Sequence, residues 1–238
     1  KRQQLVNDNC HALGAAHHGD KQYALKYADV VTQSYHPVKH ITTGEGGAVL
    51  TSDSQIDENV RLLRNHGMTK NPDQLVNNDG PCYYEMHQLG FNYRITDFQC
   101  ALGSSQLKKL NQFVEARQLI ARQYDQAFSS IESLTIPKSQ DKIEHAYHLY
   151  PLLIDFEKIS LTKADFFKKM IDFKINFQVH YIPIHLQPFF RKKYGFEKGN
   201  FPVSEKFYEQ EVSLPIYPVL SREDQEVVIE NIVNFVSN

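Results

Sequence analysis

Residues 34–47 read Ser-Tyr-His-Pro-Val-Lys-His-Ile-Thr-Thr-Gly-Glu-Gly-Gly and stand between two largely apolar runs, residues 29–32 and 48–51. This pattern predicts a strand, a polar corner and a second strand. Pro37 fixes its own φ and lacks a backbone donor, so the chain should leave the first strand sharply and present Lys39 on the corner. A lysine held against a sheet edge can lose its proton and form a Schiff base.

Taken alone, this stretch leaves blander interpretations open. A lysine in a loop is usually a solvated charge, and Gly-Glu-Gly-Gly is compatible with a simple turn. The stretch does not match the phosphate loop of nucleotide hydrolases, because no Gly-Lys-Ser/Thr occurs at the required spacing.

Four motifs in order, residues 34–47, 62–67, 89–94 and 179–185, together resemble the DegT/DnrJ/EryC1/StrS family of sugar-nucleotide aminotransferases. Members of this family use pyridoxal 5′-phosphate (PLP). The resemblance implies an α/β fold of the PLP-dependent transferase class, fold type I and aspartate-aminotransferase-like. It implies a large-domain portion with a mostly parallel sheet, followed by a small C-terminal α+β domain.

The composition narrows the class of partner. The chain has 238 residues, of which 41% are hydrophobic, and a net charge of −2, so charge does not favour nucleic acid or a membrane surface as a partner. No apolar run approaches the roughly 20 residues that cross a bilayer. Cys10, Cys82 and Cys100 are widely spaced and are expected to be reduced structural thiols of a cytoplasmic protein.

Residue 1 is Lys and the first residues resemble the middle of a domain. We therefore expect an N-terminally truncated chain, whose missing part would supply a turn for the cofactor phosphate and an aromatic ring stacked on the pyridine. The predicted domains are residues 1–129, the C-terminal portion of the large PLP-binding domain, and residues 130–238, the small domain.

The resemblance assigns roles to five residues of the first domain. Lys39 is the expected catalytic lysine, Asp8 the partner of the pyridine nitrogen and His11 a contact to the cofactor's 3′-oxygen. Ser34 is expected to bind the cofactor phosphate, and Asn92 to reach the phosphate of a neighbouring subunit in a homodimer with a shared active site. Without the family context, Asp8 would be a helix N-cap or turn residue.

Three polar rings lie between prolines in the C-terminal part, His180, Tyr181 and His185. The resemblance makes them candidates for substrate contacts, and each is equally compatible with a structural hydrogen bond. No metal site is expected, because the adjacent pair His17-His18 has no third ligand nearby.

The implied activity is transfer of an amino group, from a donor such as glutamate, to C4 of a UDP-linked 4-keto-6-deoxy-N-acetylhexosamine in pseudaminic acid-type surface-sugar biosynthesis. One alternative is a transaminase of the bacillosamine or legionaminic route, which differs in sugar stereochemistry. Another is an inactive, cofactor-free scaffold, since half of the expected site is absent.

Local patterns predict further elements. Residues 4–7 should form a strand that ends at Asp8, and Asp53 and the pair Thr96/Gln99 should cap helices. Apolar residues from 95 to 129 indicate core-facing helices that are broken or bent near Gly103. The other expected elements are an edge strand at 147–155, a helix after Thr162 that buries Phe166, Met170 and Phe173, a strand at 176–181, and a final helix capped by Ser221.

Overall fold

The structure, a computed structural model, describes residues 3–236. Short strands and longer helices alternate along these residues. The strands are β1 (Val6–Asp8), β2 (Ala16–His17), β3 (Val30–Ser34), β4 (Gly47–Leu50), β5 (Met68–Thr69), β6 (Glu85–Met86), β7 (Leu134–Thr135), β8 (Ile143–Glu144), β9 (Pro151–Ile154) and β10 (Glu211–Ser213). The α-helices are α1 (Ser54–Leu63), α2 (Asp97–Leu107), α3 (Leu110–Phe128), α4 (Lys163–Asp172), α5 (Pro188–Tyr194), α6 (Pro202–Gln210) and α7 (Arg222–Val236).

The described residues form two compact units. The first unit contains residues 3–111 and 142–144, and the second contains residues 112–141 and 145–236. Most of α3 therefore belongs with the second unit, whereas the predicted domain boundary after residue 129 lies just beyond this helix. That boundary stays a prediction. Within residues 3–236 no helix is long and apolar enough to cross a membrane.

The first unit contains a three-stranded sheet in the order β1-β3-β4. Strands β1 and β3 run parallel, with Asp8 opposite Thr32, and β3 and β4 form an antiparallel hairpin that ends at Ser34 and Gly47. A Cβ on Gly47 would lie 2.5 Å from the carbonyl oxygen of Gln33, so only glycine fits this close approach. The predicted order of strand, corner and strand is confirmed. Of the mostly parallel sheet that the resemblance implies, this sheet contains one parallel pair, β1 and β3, and one antiparallel pair.

The helices of the first unit begin where the sequence predicts. Asp53 accepts hydrogen bonds from the first backbone N–H groups of α1, and Thr96 and Gln99 form the reciprocal capping box of α2. The predicted break between helices is present, but it lies at residues 108–109, between α2 and α3, and not at Gly103, because α2 continues through it to Leu107. A Cβ at Gly103 would lie 2.8 Å from the Thr43 side chain, so this glycine permits close packing rather than a break.

The prediction that α2 turns an apolar face into the core is also wrong. Phe98 is 91% exposed and Leu102 is 41% exposed, and no residue of α2 is buried within the described part of the chain. The apolar periodicity is real, but no described element packs over these two side chains closely enough to bury them.

The second unit contains the main hydrophobic core. Tyr124 and Phe128 of α3 stack at a centroid distance of 5.8 Å, and Phe166 of α4 stacks on Phe177 at the same distance. Burial of such an aromatic side chain stabilises the fold by about 1.5–3 kcal/mol. The further buried core residues of this unit are Ile120, Ala121, Leu134, Tyr150, Leu152, Ile154, Met170, Ile175, Val212, Leu214, Ile216, Val228, Ile232 and Val236.

Three details of the second unit differ from the sequence-based expectation. The strand β9 is central in the order β10-β9-β7, not at an edge, and Pro151 is tolerated because it is the first residue of the strand. Phe173 is 50% exposed, because it follows the last turn of α4. The predicted strand at 176–181 is reduced to a single bridge between Gln178 and Ser213.

Candidate active site

The carboxyl ends of the parallel strands β1 and β3 form the centre of the candidate site. Asp8 is the last residue of β1 and lies opposite Thr32, two residues before the end of β3 at Ser34. Since neighbouring parallel strands present their carboxyl ends at the same sheet edge, this is where open α/β sheets bind ligands. Asp8 and the residues after Ser34 therefore meet at one edge.

The turn after β1 keeps the Asp8 side chain ionised. The backbone N–H of Cys10 donates to Asp8 Oδ1 at 3.1 Å. The hydrogen bond from the Cys10 thiol, this backbone N–H and the positive charges of His11 and Lys39 hold the pKa of Asp8 below its usual range, against a smaller opposing effect of burial. The carboxylate is thus available as an anionic partner near neutral pH.

Lys39 lies on the corner that follows β3. Tyr35 N–H donates to the Gly46 carbonyl at 2.9 Å and Lys39 N–H donates to the His36 carbonyl at 2.9 Å, so the corner is closed by its own backbone. The side chain is half-buried, and burial lowers the pKa of Lys39, while electrostatic interactions with Cys10 and Asp8 act in the opposite direction. Lys39 therefore releases its proton more easily than a solvated lysine.

The structure brings some of the predicted residues together and leaves one apart. Asp8, His11 and Lys39 interact electrostatically. Ser34 ends β3 and its Oγ accepts a hydrogen bond from His36 N–H at 3.4 Å. Asn92 is exposed and pairs with Asn65 in an isolated bridge of the first unit, so it is not part of the electrostatic cluster around Asp8.

Cys10 and Thr32 are members of this site that sequence reasoning missed. Cys10 is assigned above as a structural thiol, yet its thiol interacts with the Asp8 carboxylate and lowers the pKa of Asp8, and its Sγ lies 3.9 Å from Thr32 Oγ1. Burial, followed by the bond to Asp8, raises the pKa of the Cys10 thiol, so it stays protonated and donates. Its position between Asp8 and His11 was the available signal.

The three predicted substrate residues belong to the second unit. His180, Tyr181 and His185 line one cavity of about 670 Å³ together with several aromatic rings. His185 is buried, and its Nε2 lies 2.7 Å from Glu205 Oε1, whereas Tyr181 is largely exposed. The three residues thus share one cavity, and their contact with a substrate stays a prediction.

A larger cavity, of about 840 Å³, lies in the first unit between the β3–β4 hairpin, α1 and the segment around Phe91. None of the predicted site residues lines it. Its walls are mainly apolar, and their charged side chains include the ion pair of Asp57 and Arg61 at 2.8 Å. No lysine that could bind an aldehyde is among the described residues that line it, so we base the active-site assignment on Asp8 and Lys39 and not on cavity size.

Solved structures of known proteins share the fold of this chain. A chain from Helicobacter pylori, described as "PseC, aminotransferase involved in the biosynthesis of pseudoaminic acid", superposes with a TM-score of 0.86 at 30% identity, over 98% of this chain and 59% of that one. The PLP form of the sugar aminotransferase Spr1654 from Streptococcus pneumoniae superposes with a TM-score of 0.81 at 26% identity, over 98% and 56%. The fold is therefore that of the PLP-dependent α/β aminotransferases, as predicted.

The sequence places the chain more narrowly. It belongs to the DegT/DnrJ/EryC1/StrS aminotransferase family, whose model matches residues 2–233. UDP-4-amino-4,6-dideoxy-N-acetyl-β-L-altrosamine transaminase of Campylobacter jejuni is 37% identical over 94% of this chain and 56% of its own length. The spore coat polysaccharide biosynthesis protein SpsC of Bacillus subtilis is 35% identical over 98% and 59%. The chain thus spans somewhat under 60% of the length of these relatives.

The side chains at the sheet edge fit the cofactor of this family. PLP carries an aldehyde, a ring nitrogen that needs an anionic partner and a phosphate. The cluster offers a lysine with a lowered pKa, an ionised carboxylate that interacts with it, and the hydroxyl of Ser34 at the end of the intervening strand. The residues present are therefore those that the cofactor requires on this side of the site.

Proposed function

We propose that this protein is a PLP-dependent aminotransferase that places an amino group, taken from a donor such as glutamate, on C4 of a UDP-linked 4-keto-6-deoxy-N-acetylhexosamine. The main support for this proposal is the electrostatic interaction of Asp8 with Lys39 at the sheet edge where β1 and β3 end. Family membership supports the reaction class. The names of the Campylobacter and Helicobacter relatives support a UDP-sugar of the pseudaminic acid type.

PLP, when bound, supplies an electron sink that lets a bond at the amine-bearing carbon break heterolytically. In our proposal Lys39 binds the cofactor covalently, and its Nζ, once released, takes a proton from one carbon and returns it to another. Burial prepares this role because it lowers the pKa of Lys39. Asp8 orients the ring and keeps its nitrogen protonated, and Cys10 keeps Asp8 ionised.

The remaining predicted residues have binding roles in this proposal. Ser34 and His11 hold the phosphate and the 3′-oxygen of the cofactor. Asn92, which is exposed, reaches the phosphate of a neighbouring copy in a cytoplasmic homodimer. His180, Tyr181 and His185, which line one cavity, contact the nucleotide sugar.

The test of the catalytic assignment is covalent capture of the cofactor. PLP is added to the 238-residue chain, the mixture is reduced with borohydride, and peptides are mapped by mass spectrometry. We expect one pyridoxyl phosphate group, located on Lys39, and no visible absorbance band of bound PLP in Lys39→Ala. Lys26→Ala is the matched control, because Lys26 is an exposed lysine of the same unit, ion-paired with Asp20 at 2.6 Å, and should leave the band unchanged.

The alternatives predict different results. A folded chain that captures no PLP would contradict the proposal and favour the cofactor-free scaffold, which is compatible with a chain that spans under 60% of its relatives. If PLP is captured, turnover of the L-altro precursor is compared with turnover of the D-gluco 4-keto sugar in the full-length enzyme. Preference for the D-gluco sugar would replace the pseudaminic acid route by the bacillosamine or legionaminic one.

A further inference from the structure

A buried hydrogen-bonded chain in the second unit ends at His180. The bridge between Gln178 and Ser213, in which Ser213 N–H donates to the Gln178 carbonyl at 2.8 Å, brings residue 180 next to β10. His180 Nδ1 then lies 2.7 Å from Ser213 Oγ. Ser213 Oγ is in turn hydrogen-bonded to Glu211. Glu211 is 0% exposed and Ser213 is 4% exposed, so water does not compete for these bonds.

The hydrogen-bond partners of Glu211, Ser213 and His180 show which atom of each pair carries the hydrogen. Glu211 Oε2 accepts the backbone N–H of His180 at 2.9 Å, and its other oxygen faces Ser213 Oγ. Lys163, which is half-buried, interacts electrostatically with Glu211. An ionised carboxylate only accepts hydrogen bonds, so the single hydroxyl hydrogen of Ser213 must point at Glu211.

We propose that Glu211 and Ser213 are positioning residues that fix His180 as the tautomer with its proton on Nδ1. Because the Ser213 hydrogen is used by Glu211, Ser213 Oγ can only accept from the ring, and His180 Nδ1 must donate. The proton-free nitrogen of the neutral ring is then Nε2. The ring therefore offers Nε2 as a hydrogen-bond acceptor.

This assignment means that the two histidines of the aromatic cavity carry their protons on different ring nitrogens. His180 and His185 both line it, but they are held in opposite tautomers. His185 Nε2 lies 2.7 Å from Glu205 Oε1, so this nitrogen carries the proton. Burial raises the pKa of Glu205, but the N–H groups of Gly199 and Phe201 and the His185 ring outweigh it and leave this pKa below its usual range. His180 Nε2, which lacks a proton, can only accept a hydrogen bond, so a ligand group that meets it must be a donor. This inference rests on the proposed function only for the identity of that ligand as a nucleotide sugar.

The test is a direct reading of the tautomers by ¹⁵N NMR. The full chain is labelled with ¹⁵N-histidine and studied as a sediment by magic-angle-spinning NMR at pH 8.5, well above the ordinary histidine pKa of about 6.5. His180 is assigned by the signals that disappear in His180→Asn. We expect a pyrrole-type Nδ1 and a pyridine-type Nε2 for His180, and the reverse for His185, which serves as the internal control.

Substitutions of Ser213 and Glu211 test whether these two residues set the tautomer of His180. Ser213→Ala should weaken the tautomer preference by about fivefold to tenfold, the effect of one lost hydrogen bond, and Ser213→Thr should restore it. Glu211→Gln should reverse the tautomer, because the amide donates to Ser213 Oγ and frees the hydroxyl hydrogen for Nδ1. An unchanged His185 pattern shows in each case that the fold persists.

The proposal is overturned by a pyridine-type Nδ1 in the unaltered chain, which would mean that Glu211 is the protonated partner. It is equally overturned if both ring nitrogens of His180 carry protons at pH 8.5, or if Glu211→Gln leaves the pattern of His180 unchanged while His185 is intact. None of these readings depends on PLP, on UDP-sugars or on activity, so failure here is distinguishable from failure of the proposed function.

Discussion

Substitution of Arg117, a cation in the middle of α3, is expected to lower the stability of the second unit strongly. It is 4% exposed, and its Nη1 donates to the carbonyls of Ile216 at 2.7 Å, Tyr147 at 3.1 Å and His148 at 3.3 Å. The guanidinium thus ties α3 to two segments distant in sequence. We expect Arg117→Ala to destabilise this unit by about 3 kcal/mol, the balance of three contributions.

Three changes contribute to the free energy of unfolding of Arg117→Ala. Removal of the donor leaves at least two buried carbonyls without a partner, at about 2 kcal/mol each. Loss of the packed aliphatic stem adds about 2 kcal/mol, at roughly 0.8 kcal/mol per methylene. In the opposite direction, burial lowers the pKa of Arg117 to about 10. Burying its charge therefore costs about 3 kcal/mol, at about 1.4 kcal/mol per pKa unit, and the variant is relieved of this cost.

The assay is urea unfolding at low protein concentration, followed by far-UV circular dichroism, since the chain has no tryptophan. Arg122→Ala is the matched control, because Arg122 is an exposed arginine of the same helix, and its loss should change the free energy of unfolding by no more than about 0.5 kcal/mol. Arg117→Lys should fall between the two. Equal stability of Arg117→Ala and Arg122→Ala would refute the reasoning, because the carbonyls would then not depend on the guanidinium.

Two further predictions concern the first unit. Gly67 (φ +68°) and Gly195 of the second unit (φ +71°) share a left-handed backbone, but a Cβ at Gly67 would lie 1.7 Å from a backbone oxygen whereas Gly195 faces open space. Both alanine variants should lose about 1 kcal/mol of stability from backbone strain, and thermal unfolding should show that Gly67→Ala loses at least about 2 kcal/mol more. Equal stability of the two variants would contradict the steric clash at Gly67. Glu85 accepts the N–H groups of Val76 and Asn77 at 2.7 and 2.8 Å, and these bonds lower the pKa of Glu85 to about 2, so its stabilisation of this loop should be complete above about pH 5 and disappear as the pH falls towards 2. Hydrogen exchange at pH 6 should show faster exchange of both amides in Glu85→Gln, with the amides of β1 unchanged, and equal rates in the two proteins would exclude the role of Glu85.

Features that depend on a few neighbouring residues could be predicted from the sequence. The caps at Asp53, Thr96 and Thr162 are present where the sequence indicates them, because a capping side chain bonds to a backbone N–H only two or three residues away. Asp8 and Lys39 were singled out through the family resemblance, and in the structure one parallel strand pair places their two local motifs at one sheet edge. In both cases the required partner is specified within a short distance along the chain or by one strand pairing.

Features that depend on a distant surface could not be predicted in this way. Apolar periodicity identifies the side of a helix that avoids water, but it does not specify an element that covers this side. Phe166 and Phe98 both occupy such positions, and one is completely buried while the other is 91% exposed. The central position of β9 has the same origin, because strand order is set by which segments pair and not by the residues of the strand itself.

Cys10 illustrates how a site residue escapes sequence reasoning although its neighbours are recognised. A cysteine outside any ligand or disulfide pattern is most simply explained as a small buried hydrophobe. In the structure its backbone N–H and its thiol both serve the Asp8 carboxylate. The type of residue thus carries little information, while its place two residues after a strand-ending aspartate carries most of it. Since the thiol donates only while it is protonated, burial of Cys10, which raises its thiol pKa, also helps to keep Asp8 anionic and thereby preserves its electrostatic interaction with Lys39.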